Sequence, residues 1–201
     1  MAAKPSLKRL LEFQELLLKL RAVERTIYLP PDNEQENDVE HSYNLAMTAW
    51  FLSPHFAHLD TDKLVRLALA HDLLEVHSGD TFVYGDEAAL ASKHQREQQA
   101  VKLLAKDWPD FTDLHDAIKE YEARQSDEAK FVYALDKLMP TFLNVMSKGY
   151  FWLKHSITYE RFREEKAAKV AISPEINNYY EQLLKLLQEH PEYFARPGRN
   201  R

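Results

Sequence analysis

The sequence predicts an all-α fold, a bundle of roughly eight helices, and three observations carry that expectation. Glycine is scarce, with four in 201 residues. Leu, Ala, Glu, Lys and Gln, all good helix formers, are plentiful. Apolar residues also recur at the helical period, which turns one stripe of each helix toward a core. A hydrophobic fraction of 45% suffices for a packed interior. The length suits one domain, since domains usually run to roughly 100–200 residues.

Leu7, Leu10, Leu11, Leu17, Leu18 and Val23 place a first helix over 7–25. Pro30, Pro31 and the polar run to Asn37 then make a loop. Asn37 or Asp38 can cap a second helix that runs to about Ser53 and stops at Pro54. Asp60 or Thr61 can cap a third, about 61–76, with Leu64, Leu67, Ala68 and Leu74 as its stripe. Gly79 follows at a break and suits a turn with positive φ. Later helices are expected at about 86–106, 111–123, 127–148, 158–170 and 174–189, the last starting at Ser173-Pro174 with proline in its first position. No strand is expected. The expected organisation is a single domain over 1–195, with a core at about 15–145, C-terminal helices at about 150–190 and a disordered basic tail over 196–201.

The formal net charge of −6 argues against a general nucleic-acid binder, which needs basic residues to displace counterions. A small phosphate ligand is compatible, because one bound cation can reverse the local field. The absence of cysteine excludes disulfides and thiolate chemistry. No apolar run reaches the ~20 residues of a membrane span, and Met1–Arg9 lacks the apolar stretch of a signal peptide. The expected compartment is the cytoplasm.

The strongest local signal for chemistry is His71-Asp72, at the end of the apolar run Leu67-Ala68-Leu69-Ala70. A buried carboxylate costs several kcal/mol unless it is paired or binds metal. Glu75 lies one helical turn on, on the same side. A surface His-Asp pair is the competing reading. A zincin site is excluded, because that motif needs Glu directly after the first His and a second His at i+4. Asp136 sits inside the apolar run Phe131–Pro140 and needs a partner. Pro140 cannot donate to its carbonyl and bends the helix there. The competing reading is an exposed Asp136 neutralised by Lys137. His41, just inside a helix start, is weak by itself.

Taken together, the order His, His-Asp, Asp resembles the HD superfamily of metal-dependent phosphohydrolases. The likeness is closest to the branch of bacterial 5′-deoxynucleotidases and their eukaryotic HD-domain relatives. It is carried by Glu40-His41-Ser42, by the stretch His71–Asp80 and by Glu120–Val132 leading into Asp136. The resemblance implies an HD-domain bundle whose His41, His71, Asp72 and Asp136 hold one divalent cation, with Co, Mn, Mg, Zn, Ni and Fe all chemically suitable. It implies that Glu75 and Asp80 orient or deprotonate the attacking water and support proton transfer to the leaving ribose oxygen. The substrates it implies are (deoxy)ribonucleoside 5′-monophosphates. It also implies an arginine near the end of the first helix that holds phosphate. Arg25 matches after one inserted residue, and Arg21 is its rival. The bacterial enzymes follow that arginine with a tryptophan that helps exclude a 2′-hydroxyl, and here the place holds Thr26. Family members often pair, so a homodimer is implied.

Two rivals stand beside this reading. His94 and His115 occupy the interval where dinuclear oxygenases and phosphodiesterases of the superfamily carry two extra ligands, although His94 lies in a polar stretch and His115 beside acids. A non-catalytic nucleotide-binding or scaffold protein is the other. His55, His58, His77, His155 and His190 read as loop or surface residues. The aromatic group Tyr150, Phe151, Trp152 and Tyr159 reads as core or dimer contact before substrate stacking.

Overall fold

The computed structural model describes residues 4–80, Tyr84 and 87–196, without the side chains of 87–91, 93 and 94. Residues 197–201, the bulk of the expected tail, lie outside the described residues. Among the described residues there are ten α-helices: α1 Leu7–Arg21, α2 Asp38–Leu52, α3 Thr61–Ala70, α4 Glu75–Ser78, α5 Glu87–Asp107, α6 Thr112–Ala123, α7 Asp127–Met146, α8 Tyr150–Lys154, α9 Tyr159–Val170 and α10 Pro174–Gln188. The all-helical expectation holds, with short helices α4 and α8 added. The caps are local. Asn37 accepts from the Val39 and Glu40 amides while Glu40 reaches back to the Asn37 amide, a complete capping box. Asp60 caps α3, Ser126 caps α7, and Ser173 caps α10 ahead of Pro174.

Two expectations fail, both next to the site. The first helix ends at Arg21, and the chain turns into a hairpin of β1, Glu24–Leu29, and β2, Glu34–Asn37. The strands are antiparallel, pairing Glu24 with Asn37 and Leu29 with Glu34, with an irregularity between. Thr26, Ile27 and Tyr28 are the β-branched and aromatic types that fit a pleated surface, whereas Glu34-Gln35-Glu36-Asn37 carries no such signal. The expected helix over 61–76 also breaks at His71–Leu74. The His71 ring donates from Nδ1 to the Ala68 carbonyl at 2.8 Å, taking the acceptor a continuous helix would offer to the Asp72 amide. The chain tightens there, with Leu73 N bonded to Ala70 O and Glu75 N to Asp72 O.

The larger core is organised around α7, which packs on α2, α3, α6, α9 and α10 and buries Phe131, Val132, Leu135 and Leu138. A second cluster joins α1, α5 and α6 to Leu73 and Leu74. Strand β1 lies against α7 and α8. Phe151 and Trp152 are buried, Trp152 stacking on Phe194 at 4.3 Å, and both also line a cleft, while Tyr150 and Tyr159 are half-buried.

Candidate metal centre

His41 comes from the first turn of α2, His71 and Asp72 from the break after α3, and Asp136 from the middle of α7. Contacts among these three elements bring their side chains to one point. His41, His71 and Asp136 are each no more than 3% exposed and offer ligand atoms within 4.8 Å of one another. His41 Nε2 is 3.0 Å from Asp136 Oδ1, and His71 Nε2 is 3.8 Å from the same oxygen. Asp72 Oδ2 joins them, 3.0 Å from His71 Nε2 and 3.9 Å from His41 Nε2. The four atoms therefore form a ring. Two ligands at right angles around an ion with bonds of about 2.1 Å sit about 3 Å apart, so the spacing fits a coordination shell.

The chemistry of the donors fits as well. With its proton on Nδ1, His71 keeps the Nε2 lone pair for a ligand. Among the described residues that buried nitrogen makes no hydrogen bond, although Asp72 lies 3.0 Å away. His41 turns its Nδ1 toward Glu36 Oε2 at 3.3 Å, the carboxylate support typical of ligating histidines. Tyr121 donates to Asp136 Oδ2 at 2.8 Å, and Lys137 Nζ lies 2.6 Å from the same oxygen. Asp136 is thus neutralised by Lys137, but in the interior: the reading of an exposed pair is overturned by its 2% exposure.

Burial pushes Asp136 up, but Lys137, His41 and His71 outweigh it and hold the carboxyl well below the usual range. Burial and the Arg25 charge push His41 down, but Asp136 and Glu36 raise it to about 9. Asp72 is held low by His71 and Arg25 against its burial. Glu75 goes the other way. Burial and the charges of Asp72, Asp38 and Asp80 push it up to about 10.

A cleft of about 760 Å³, its open mouth included, extends from this centre. Arg25, Asp72, Glu75, Asp80 and Asp136 line it, so Glu75 and Asp80 share one cavity with the cluster. Arg25 lies on β1, not at the end of a helix, and Arg21 is exposed at the end of α1. The Arg25 guanidinium donates to Asp72 Oδ2 at 2.7 Å and Asp38 Oδ1 at 3.1 Å, with Glu36 3.4 Å from its Nε. Glu36 and Asp38 are both fully buried, and the sequence reading missed them. Their signal was a polar run that looks like a loop; only the pairing of β2 with β1 turns Glu36 inward. Tyr121, Lys137 and the distal cleft residues were missed as well.

The extra-histidine reading fails at His115, whose Nε2 donates to the Trp108 carbonyl at 2.7 Å in the second core cluster. The His94 side chain lies outside the described residues. His55, His58 and His77 are exposed and take no part in the cluster.

Known proteins resemble this chain in sequence and in fold. The cow 5′-deoxynucleotidase HDDC2 is 36% identical over 133 residues, which span 65% of this chain and 63% of that protein. The human 5′-deoxynucleotidase HDDC2 is 34% identical over 65% of this chain and 64% of its own length. The chain thus spans somewhat less than two thirds of these relatives. A predicted metal-dependent phosphohydrolase from Magnetospirillum magnetotacticum superposes with a TM-score of 0.78 at 29% identity, covering 94% of this chain and 96% of that one. The PH0347 protein of Pyrococcus horikoshii shares the fold, with a TM-score of 0.62 at 20% identity over 89% and 98% of the two chains. The HD domain profile matches residues 17–177, the span that contains every residue of the cluster, and the chain belongs to the HD-domain family.

Proposed function

We propose that this chain is a metal-dependent phosphomonoesterase that releases phosphate from nucleoside 5′-monophosphates, deoxy forms favoured. The observation that carries the reading is the ring of His41, His71 and Asp136, all buried, with the half-buried Asp72, opening into a cleft that also holds Glu75 and Arg25. The names of the relatives, 5′-deoxynucleotidase and metal-dependent phosphohydrolase, point the same way. A divalent cation held by those four side chains supplies Lewis acidity at a phosphoryl group. Arg25 and Lys137 flank the ring with positive charge and orient the phosphate. Glu75, whose carboxyl burial and acidic neighbours push up, shares the cleft with Asp80, and the two would divide water activation and proton transfer to the leaving ribose oxygen. Thr26 lines the cleft where a tryptophan would crowd a 2′-hydroxyl, so discrimination against ribose is weaker than a bulky ring would give.

The domain extends over 1–195. Among the described residues no helix is long and apolar enough to cross a membrane, and a cytoplasmic enzyme is the reading we adopt. One face of α2 exposes Tyr43, Met47, Trp50 and Phe51, with Met146 of α7 nearby, and this apolar surface supports a homodimer. Light scattering that finds a monomer at micromolar concentration removes that part alone.

The test is phosphate release from nucleotides with added Mn²⁺ or Co²⁺ and with chelator. Activity is expected with metal and lost in chelator. Glu75→Ala is expected to lower kcat by at least about a hundredfold, within the range for a general acid, while still binding nucleotide. Wild-type turnover in Glu75→Ala would remove its assigned role.

A further inference from the structure

The part of the cleft remote from the metal ligands carries its own polar wall, and nothing in the proposed hydrolysis uses it. Thr141 and Asn144 follow Asp136 on the cleft face of α7 and are 1% and 2% exposed. Among the described residues neither Thr141 Oγ1 nor Asn144 Oδ1 has a hydrogen-bond partner. Two unpartnered polar atoms on one wall of a cavity are costly in a core unless something that enters the cavity meets them. The amide is oriented by its own contact: Asn144 Nδ2 donates to the Pro140 carbonyl at 2.9 Å, which leaves Oδ1 as the free acceptor. Across the cleft, Lys166 of α9 is 6% exposed and lines the same space. Its ammonium carries three donors, and the Glu165 carboxylate at 3.0 Å meets it from one side. Trp152 and Ile27 close the cavity with apolar surface.

Position along α7 sets the scale. Asn144 stands eight residues beyond Asp136, about 12 Å along the axis at 1.5 Å per residue. That is close to the reach of an extended nucleoside monophosphate from its phosphorus to the far, hydrogen-bonding edge of its base. We propose that Asn144 and Lys166 form a base-reading subsite selecting nucleobases in which a carbonyl stands next to a ring N–H, as in thymine, uracil and guanine. Lys166 donates to the carbonyl oxygen and Asn144 Oδ1 accepts the neighbouring N–H. Adenine has no carbonyl, and beside the cytosine carbonyl stands a ring acceptor that would face Oδ1. The inference rests on the nucleotidase reading for the placement of the phosphate.

Two measurements keep the two readings apart. The first is phosphate release by the Mn²⁺-loaded full chain from the thymine, guanine, adenine and cytosine deoxynucleoside 5′-monophosphates and from 2-deoxyribose 5-phosphate. The second is binding of the same nucleotides to Mn²⁺-loaded Glu75→Ala protein. Both are expected to favour thymine and guanine about tenfold or more, the discrimination of one well-made pair of hydrogen bonds. Asn144→Leu and Lys166→Met are each expected to reduce the preference to within about threefold and to leave release from 2-deoxyribose 5-phosphate unchanged. Lys166→Met keeps the fold testable if Asn144→Leu fails to fold, because Glu165 retains Lys169 as a partner. Equal binding of all four bases by the wild-type pocket, or a preference that survives both substitutions, overturns the subsite and leaves the nucleotidase standing. A binding preference lost in the variants, with no phosphate released from any nucleotide, overturns the nucleotidase and leaves the subsite.

Discussion

Tyr121→Phe isolates the contribution of the layer behind the proposed metal ligands. Tyr121 is 5% exposed, its hydroxyl donates to Asp136 Oδ2 at 2.8 Å, and its ring packs on His71 with centroids 5.2 Å apart. Phenylalanine keeps the ring and deletes only the donor, so no cavity larger than one oxygen is left. A hydrogen bond to a charged acceptor contributes about 1.5–3 kcal/mol. Lys137 still holds the same oxygen at 2.6 Å, which places the loss at the lower end. At about 1.4 kcal/mol per factor of ten, the affinity for a divalent cation should fall about tenfold, the lower bound usual for a support residue behind a ligand. Calorimetric titration of metal-stripped protein with Mn²⁺ measures this directly, with the metal-free melting curve as control. An unchanged dissociation constant in Tyr121→Phe, with the fold intact, would refute the claim that the Asp136 carboxylate faces a cation.

The other expectations concern the scaffold. Asn37→Ala removes both the side-chain acceptor and the capping box of α2, and should lower stability by about 1 kcal/mol in urea denaturation; an unchanged midpoint speaks against the box as a stabilising element. Lys63 ties α3 to α6 and α7 through Glu120 at 2.6 Å and Glu128 at 3.0 Å. Burial pushes both carboxyls up and Lys63 pulls them down further, so both end below the ordinary 4.5. Groups depressed in the folded state contribute stability that is present above their unfolded pKa and lost as the pH falls through the folded values. Lys63→Met should therefore cost about 1 kcal/mol at pH 7, a figure already reduced for solvent exposure, and much less at pH 3. A deficit of equal size at both pH values contradicts this. His115→Ala loses one hydrogen bond to the Trp108 carbonyl, about 1 kcal/mol, and should keep full phosphatase activity and one metal per chain; two metals in the wild type and one in the variant would restore the dinuclear alternative.

Of the four proposed ligands, His71, Asp72 and Asp136 were legible because each violates its surroundings in sequence, and His41 only through the family pattern. His71-Asp72 ends an apolar run and Asp136 interrupts another, and an ionisable group among core residues needs a partner. Helices were legible by period. What escaped was polar residues buried within polar stretches. Glu36 and Asp38 sit in a run of acids and amides, Lys166 in a helix that is charged throughout, and nothing local says which of these faces inward. Their burial is a tertiary fact, set by β1 pairing with β2 and by α9 docking on α7. The break at His71–Leu74 escaped for a related reason: a ring nitrogen competing for the Ala68 carbonyl leaves no mark on hydrophobic periodicity.

His41 and Asp136 stand 95 positions apart along the chain. Pairings at such separation are the last that a folding polypeptide secures, because the chain entropy of closing the loop must be overcome before the contact returns anything. The reactive centre thus depends on the most distant closures of the bundle, and fragments of it carry at most two of the four ligands on any one helix–loop unit. On the proposed reading, a copy in which these closures have not formed lacks the assembled site, and activity would report that α2, α3 and α7 have come together.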